Sequence, residues 1–185
     1  MPTRLVRSVE PEDLDEVVRI YAHYVTESVA TFDESPPTAG DWRQKAQTLR
    51  AAGLPFLVVE VGGELAGFGY ASQWRPKPAY RHSAENTIYL APDRTGVGLG
   101  SLLLGAVLDG CVAAGVRQVI AVIADTGSDA SAALHRRHGF TEVGRLRSVG
   151  FKHGRWIDTM LFQRDLTTEM TPTAPPKLPP TAPPS

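Results

Sequence analysis

One carboxylate, Glu85, and a glycine-dense turn, Thr95-Gly96-Val97-Gly98-Leu99-Gly100, lie about a dozen residues apart, with a β-rich run between them and an apolar stretch after them. Closely spaced glycines at the head of a helix offer bare backbone N–H groups, and the helix dipole adds positive potential, so this turn suits a phosphate. A glutamate facing the same place can take a proton from a group that reacts with the phosphate-bearing molecule. The pair therefore points to group transfer from a nucleotide-linked donor. Upstream, Arg75 and Lys77 stand on a loop stiffened by Pro76 and Pro78 and followed by Tyr80. Two cations held in this way suit the anionic oxygens of an acceptor. Phe32 is a candidate wall of the acceptor pocket.

These residues need elements to hold them. Leu5 to Ser8 reads as a first strand. Pro11 to Thr26 reads as an amphipathic helix, with Leu14, Val17, Val18, Tyr21 and Val25 on one stripe. Thr38-Ala-Gly-Asp41 is a capping box for a second helix that ends at Ala52 before Gly53. Phe56–Val61 and Leu65–Trp74 form a hairpin about Gly62-Gly63. The strand carrying Glu85 runs to Leu90. A helix follows from Gly98 to Ala114, with Leu99, Leu102, Leu103, Ala106 and Val107 expected inward. Gln118 to Ala124 is almost wholly apolar, as in a strand buried on both faces. Ser128 or Asp129 caps a short helix that reaches His138, and strands at Thr141–Phe151 and Trp156–Phe162 complete a single α/β domain with a mixed central sheet flanked by helices.

Composition removes several function classes. A net charge of −1 lacks the basic excess of a general nucleic-acid binder. No apolar run is long enough to span a membrane and no signal peptide is apparent. Cys111 is the sole cysteine, so no intrachain disulfide can form; the expectation is a cytoplasmic protein with a structural thiol. No His/Cys cluster has the spacing of metal ligands, so no metal is expected. From Thr167 to Ser185 the chain holds seven of its fifteen prolines among Thr and Ala, which predicts a disordered tail after a domain covering residues 1–166.

The glycine spacing separates the candidate phosphate loops. A dinucleotide fingerprint needs G-x-G-x-x-G and a later acidic residue; a Walker loop needs Gly-Lys-Ser/Thr; neither is present. Gly98-Leu-Gly100 instead has the spacing of the pyrophosphate loop of the GNAT superfamily of N-acetyltransferases. Extended to Gly98-Leu-Gly-Ser101, it is one of five blocks in order, the others being Trp74-Arg75-Pro-Lys77-Pro-Ala-Tyr80, Glu85-Asn-Thr-Ile-Tyr89, Leu134-His135-Arg-Arg-His-Gly139-Phe140 and Gly150-Phe-Lys-His-Gly-Arg-Trp156-Ile-Asp158. With them the chain resembles the phosphinothricin N-acetyltransferase branch of that superfamily from about Leu5 to Leu166.

The resemblance implies the GNAT acyl-CoA N-acyltransferase fold, acetyl-CoA as co-substrate and a homodimer. It implies transfer of acetyl to the α-amino group of phosphinothricin, methionine sulfoximine or methionine sulfone. Glu85 falls on the general base. His135 falls where the branch has a histidine that protonates the coenzyme sulfur or holds the oxyanion. Ile88, Tyr89 and Leu90 fall along the pantetheine arm, and Thr95, Gly96, Val97, Gly98, Leu99, Gly100 and Ser101 around the diphosphate. Three departures stand out. Thr95 and Gly96 replace a frequent Gln or Arg and a basic residue. Asp125-Thr-Gly-Ser-Asp129 has Ser128 near the place of a cofactor-contacting Asn. The acceptor loop reads Arg75-Pro-Lys77 rather than Lys-x-Arg. The alternatives are a GNAT enzyme acting on a peptide N-terminus or polyamine, and a non-catalytic acyl-CoA-binding module. Two cations in the acceptor loop argue against a polyamine; retention of Glu85 and His135 argues against loss of catalysis.

Overall fold

A computed structural model of the chain describes residues 2–169. The strands are β1 (Arg4–Ser8), β2 (Phe56–Val61), β3 (Glu64–Gln73), β4 (Ser83–Leu90), β5 (Gln118–Ala124), β6 (Thr141–Lys152) and β7 (Arg155–Asp165); the helices are α1 (Leu14–Glu27), α2 (Ala39–Ala51), α3 (Leu99–Ala113) and α4 (Ala130–Arg137). One sheet takes the order β1-β2-β3-β4-β5-β7-β6. All neighbours are antiparallel except β4 and β5.

Two apolar layers sandwich the sheet. On one face α1 and α2 bury Val17, Ile20, Tyr21, Trp42 and Leu49 against Val58, Phe68 and Tyr70. On the other, α3 and α4 bury Leu104, Val107, Leu108, Cys111 and Ala132 against Val119, Ala121, Ile123 and Phe162. Local signals account for the ends of the elements. Thr38 Oγ1 accepts from the Asp41 N–H at 3.2 Å and Asp41 Oδ2 accepts from the Thr38 N–H at 2.7 Å, closing the capping box of α2. Pro11 starts a 3₁₀ turn, and the α-helix proper begins at Leu14.

Two burial expectations are corrected. Leu102 is exposed on α3, and the inward stripe runs instead through Leu99, Leu103, Leu104, Val107, Leu108 and Cys111. β5 is not covered on both faces. Val119, Ala121 and Ile123 are buried in the α3/α4 layer, whereas Val122 is 39% exposed, because α1 and α2 cover β2, β3 and part of β4 but not β5. Thr167 to Glu169 form a turn, with the Glu169 N–H donating to Leu166 O and its carboxylate paired to Arg164. The expected tail otherwise lies outside the described residues.

Candidate active site

The parallel pairing of β4 with β5 covers only Ser83↔Gln118, Ala84↔Val119 and Glu85↔Ile120. Beyond it, β4 stays in register with β3 as far as Leu90, and β5 with β7 as far as Ala124. The two strands separate, and a cleft of about 880 Å³ opens between them. Its direction follows from the pleat. Glu85, Thr87 and Tyr89 share the α1/α2 face, as Tyr89 in the aromatic core there shows, while Asn86, Ile88 and Leu90 share the α3/α4 face. The cleft thus joins the two faces of the sheet beside Glu85.

Backbone groups line this gap. The register places Ala66/Ala91 and Trp74/Ser83 as hydrogen-bonded positions of the β3–β4 ladder. Alternation then turns the N–H and C=O of Asn86, Ile88 and Leu90 away from β3, into the gap. The Leu90 carbonyl is taken by the Tyr24 hydroxyl at 2.7 Å, whereas the N–H groups of Ile88 and Leu90 and the Ile88 carbonyl face the gap where a ligand can reach them.

The glycine turn closes one end. Gly98 caps α3 with φ +87°, a conformation that a side chain resists, and Gly96 is also left-handed at +75°. Thr95, Gly96, Gly98, Gly100, Ser101 and Ser128 line the cleft together with Ile88, Tyr89 and Leu90. Leu99 is buried beneath α3 and Val97 points to solvent, so these two can serve only through their backbone. Gly100 is covered by Leu134, whose Cδ2 would lie 3.3 Å from an added Cβ. Backbone donors free of side chains at a helix head form a fitting cradle for a diphosphate.

Glu85 lines the cleft, and burial raises its carboxyl above the usual carboxylate range; the positive charges of Arg75, then Lys45, pull it partly back. His135 is buried on α4. Its Nδ1 lies 2.8 Å from the Ser131 carbonyl, which can only accept, so Nδ1 carries the proton. Nε2 then accepts from Asn86 Nδ2 at 2.9 Å. Burial lowers the imidazole pKa, which favours this neutral form. Both ring nitrogens are committed, and Asn86 Oδ1 has no hydrogen-bond partner among the described residues. His138, which caps the C-terminal end of α4, has Nε2 2.8 Å from Ser101 Oγ. Cys111 is fully buried with its thiol pushed up to about 12 by burial, which makes it a poor nucleophile.

Of the residues expected at the acceptor, Phe32 lines the cleft. Its loop is pinned by Tyr21, whose hydroxyl bonds Thr31 Oγ1 and Asp33 Oδ2 at 2.7 Å each, and by the buried Lys152 ammonium on the Thr31 carbonyl at 2.8 Å. The Phe32 ring rests on Gly150, where any Cβ would overlap it. Arg75, Lys77 and Tyr80, by contrast, are exposed and outside the cleft walls, because the 3₁₀ turn Pro78–Tyr80 carries this loop outward. Arg75 stacks on Trp74, 4.7 Å from the ring centre, and reaches Glu85 only through its field. The cations that do line the cleft are Lys45 of α2 and Arg137 of α4. No motif marks Lys45; Asn86 falls within the Glu85–Tyr89 block, but only the packing shows it against His135.

A mixed sheet parted beside a carboxylate, with a glycine cradle at the head of the next helix, defines an acyl-CoA transferase fold. A family model for the acetyltransferase (GNAT) domain matches residues 6–161, and the chain belongs to this family of acetyl-CoA-dependent N-acetyltransferases. Within it, the chain is 45% identical to a phosphinothricin N-acetyltransferase of Alcaligenes faecalis over 161 residues, 87% of this chain and 82% of the relative. It is 33% identical to an L-methionine sulfoximine/L-methionine sulfone acetyltransferase of Pseudomonas aeruginosa over 162 residues, 87% and 94% of the two chains. The crystal structure of a phosphinothricin acetyltransferase from Sinorhizobium meliloti in complex with acetyl-CoA superposes with a TM-score of 0.85 at 38% identity, covering 92% of this chain and 94% of that one.

Proposed function

We propose that this enzyme acetylates the α-amino group of a small amino-acid-like acceptor, of the kind represented by phosphinothricin, methionine sulfoximine and methionine sulfone. The observation that carries the reading is Glu85 at the last paired position before β4 leaves β5, where a ligand held by the glycine turn and an amine from the α1/α2 face would meet. The names of the relatives support the acceptor class.

Acetyl-CoA supplies an activated acyl carbon. The chain's residues do the rest. The N–H groups from Gly98 to Ser101 hold the diphosphate, with Thr95, Gly96 and Val97 shaping the turn and Ser128 at its rim. Those of Ile88 and Leu90 hold the pantetheine arm and polarise the thioester carbonyl. Glu85 takes the ammonium proton, which an α-amine must lose before it can attack. Its elevated pKa brings it closer to that of the amine it serves. His135 contributes in its neutral form, orienting the Asn86 carboxamide rather than donating a proton. Arg75 and Lys77 steer anionic acceptors from the rim, with Tyr80 beside them and Phe32 forming the wall.

A homodimer is part of this proposal. The β6–β7 hairpin exposes Leu146, Val149, Phe151 and Trp156, the last two as a cross-strand aromatic pair 5.1 Å apart. Sedimentation should give twice the chain mass. The function is tested by thiol release from acetyl-CoA with phosphinothricin, methionine sulfoximine and methionine sulfone beside spermidine and a peptide. Turnover confined to the first three supports the assignment; a preference for spermidine or the peptide overturns it.

A further inference from the structure

Lys45 stands four residues after Asp41 in α2, and three after the buried Trp42, so its stem runs back over the aromatic layer. Its ammonium lies 4.6 Å from the centre of the Tyr70 ring and 5.4 Å from that of Trp42, and donates to the Tyr70 hydroxyl at 3.1 Å. An ammonium has three donors. No carboxylate lies within ion-pair distance of this one among the described residues. Three acidic side chains stand nearby: Asp33 accepts from Tyr21, Asp41 closes the cap of α2, and Glu85 feels the Lys45 charge across the cleft without forming an ion pair with it.

The register connects Lys45 to the reaction. Tyr70 pairs with Thr87, and Ser72 with Glu85, so Tyr70 and Glu85 are diagonal neighbours on the α1/α2 face. Lys45 also stands at the junction of the main cleft with a side cavity of about 440 Å³, which shares Tyr21, Asp33, Lys45 and Tyr70 with it and is further lined by Ser35, Pro36, Pro37, Asp41 and Trp42. An α-amino acid with its amine at Glu85 carries its carboxylate carbon two bonds away, inside the same cleft that Lys45 lines. Its side chain then has the side cavity to enter, where aromatic and proline walls alternate with the polar Ser35, Asp33 and Asp41. The cations named by sequence, Arg75 and Lys77, stand outside these walls.

The geometry points to Lys45, with the Tyr70 hydroxyl, as the site that binds the carboxylate of the acceptor amino acid. This rests on the acceptor class proposed above. It separates two kinds of amine: acids gain a charge-assisted contact, and their carboxamides do not. The preference would be written on α2, far in sequence from every block that carries the family resemblance.

The test is calorimetric binding of methionine sulfone and of its carboxamide to the protein saturated with CoA, for the full chain and for Lys45→Gln and Lys45→Arg. The expected result is a loss of about tenfold or more in affinity for the acid in Lys45→Gln, little change for the carboxamide, and recovery in Lys45→Arg. Thiol release measured in parallel keeps the two proposals apart. Selective loss of acid binding without thiol release by any form sustains the subsite and removes the acetyl-transfer assignment for this acceptor. Equal affinities of wild type and Lys45→Gln for the acid, or parallel losses for acid and carboxamide, overturn the subsite even where turnover is intact. Lys45 is exposed on its helix and Arg keeps the stem, so the Arg variant guards against a folding artefact.

Discussion

Replacing Glu85 by Gln should slow the enzyme and stabilise it at the same time. Gln keeps the shape and removes the charge. In the folded chain the carboxyl is desolvated by the cleft and only partly compensated by Arg75 and Lys45, so its pKa lies above that of the unfolded chain, about 4.3. The folded state therefore binds this proton more tightly than the unfolded state. The resulting stability is fully present below the unfolded pKa and is lost as pH rises through the elevated folded value. At neutral pH wild type bears that loss and Glu85→Gln does not. Each unit of elevation is worth about 1.4 kcal/mol, or about 3–5 °C in Tm for a domain of this size. Thermal unfolding followed by circular dichroism from pH 4 to 8 should show the variant above wild type at pH 7.5, with the curves converging toward pH 4. In the same samples turnover should fall by about 10²-fold or more with the acetyl-CoA KM little changed. The wild-type rate should decline on acidification with a midpoint above the ordinary glutamate value, as the base is protonated. A variant with unchanged turnover, or one less stable than wild type at pH 7.5, would refute the placement of a costly buried base at this position.

Asn86→Asp puts a carboxylate against His135 Nε2 and should draw a proton onto it; ¹⁵N spectra at pH 7 should change from a neutral Nδ1–H ring to an imidazolium, and an unchanged neutral ring would contradict the hydrogen-bond assignment. Asn86→Ala removes the donor from that buried nitrogen and should cost about 1–3 kcal/mol in denaturant unfolding. Gly98→Ala forces a side chain into the left-handed cap at φ +87°, at about 1–2 kcal/mol; Tm should drop and the acetyl-CoA KM rise, while a silent variant would remove the cradle argument. Gly110→Ala would ordinarily strengthen α3 by about 1 kcal/mol, but its Cβ would come 2.7 Å from Pro55 Cβ, an overpacking cost of about 1–3 kcal/mol, so the variant should melt below wild type.

Much of the scaffold is legible residue by residue because it is built from local signals. The capping box at Thr38, the Gly62-Gly63 turn and the apolar run Gln118–Ala124 each act within a few positions, and the structure has them where the pattern places them. Burial is less legible. Leu102 fits the apolar stripe of α3 as well as Leu103 does, yet it is exposed, because the helix is apolar nearly all round and only the sheet beneath it selects a face. β5 reads as buried on both sides because its composition cannot report that the α1/α2 layer ends before reaching it.

By itself the sequence determined the chemistry at hand: a carboxylate, a glycine-rich helix entry spaced for a diphosphate, a histidine on a late helix, and the order of strands and helices that carries them. The tertiary structure alone decided how these meet. The cleft exists because β4 follows β3 to its end and β5 follows β7 to its end, so their own ladder stops after three pairs. Neither strand carries a local mark of that parting, since each is satisfied by its other neighbour. Nor could spacing foresee that Arg75 and Lys77 face outward while Lys45, forty residues before Glu85, lines the cleft. Which cation reaches a ligand depends on the packing of a helix against a strand, and that is a property of the folded chain.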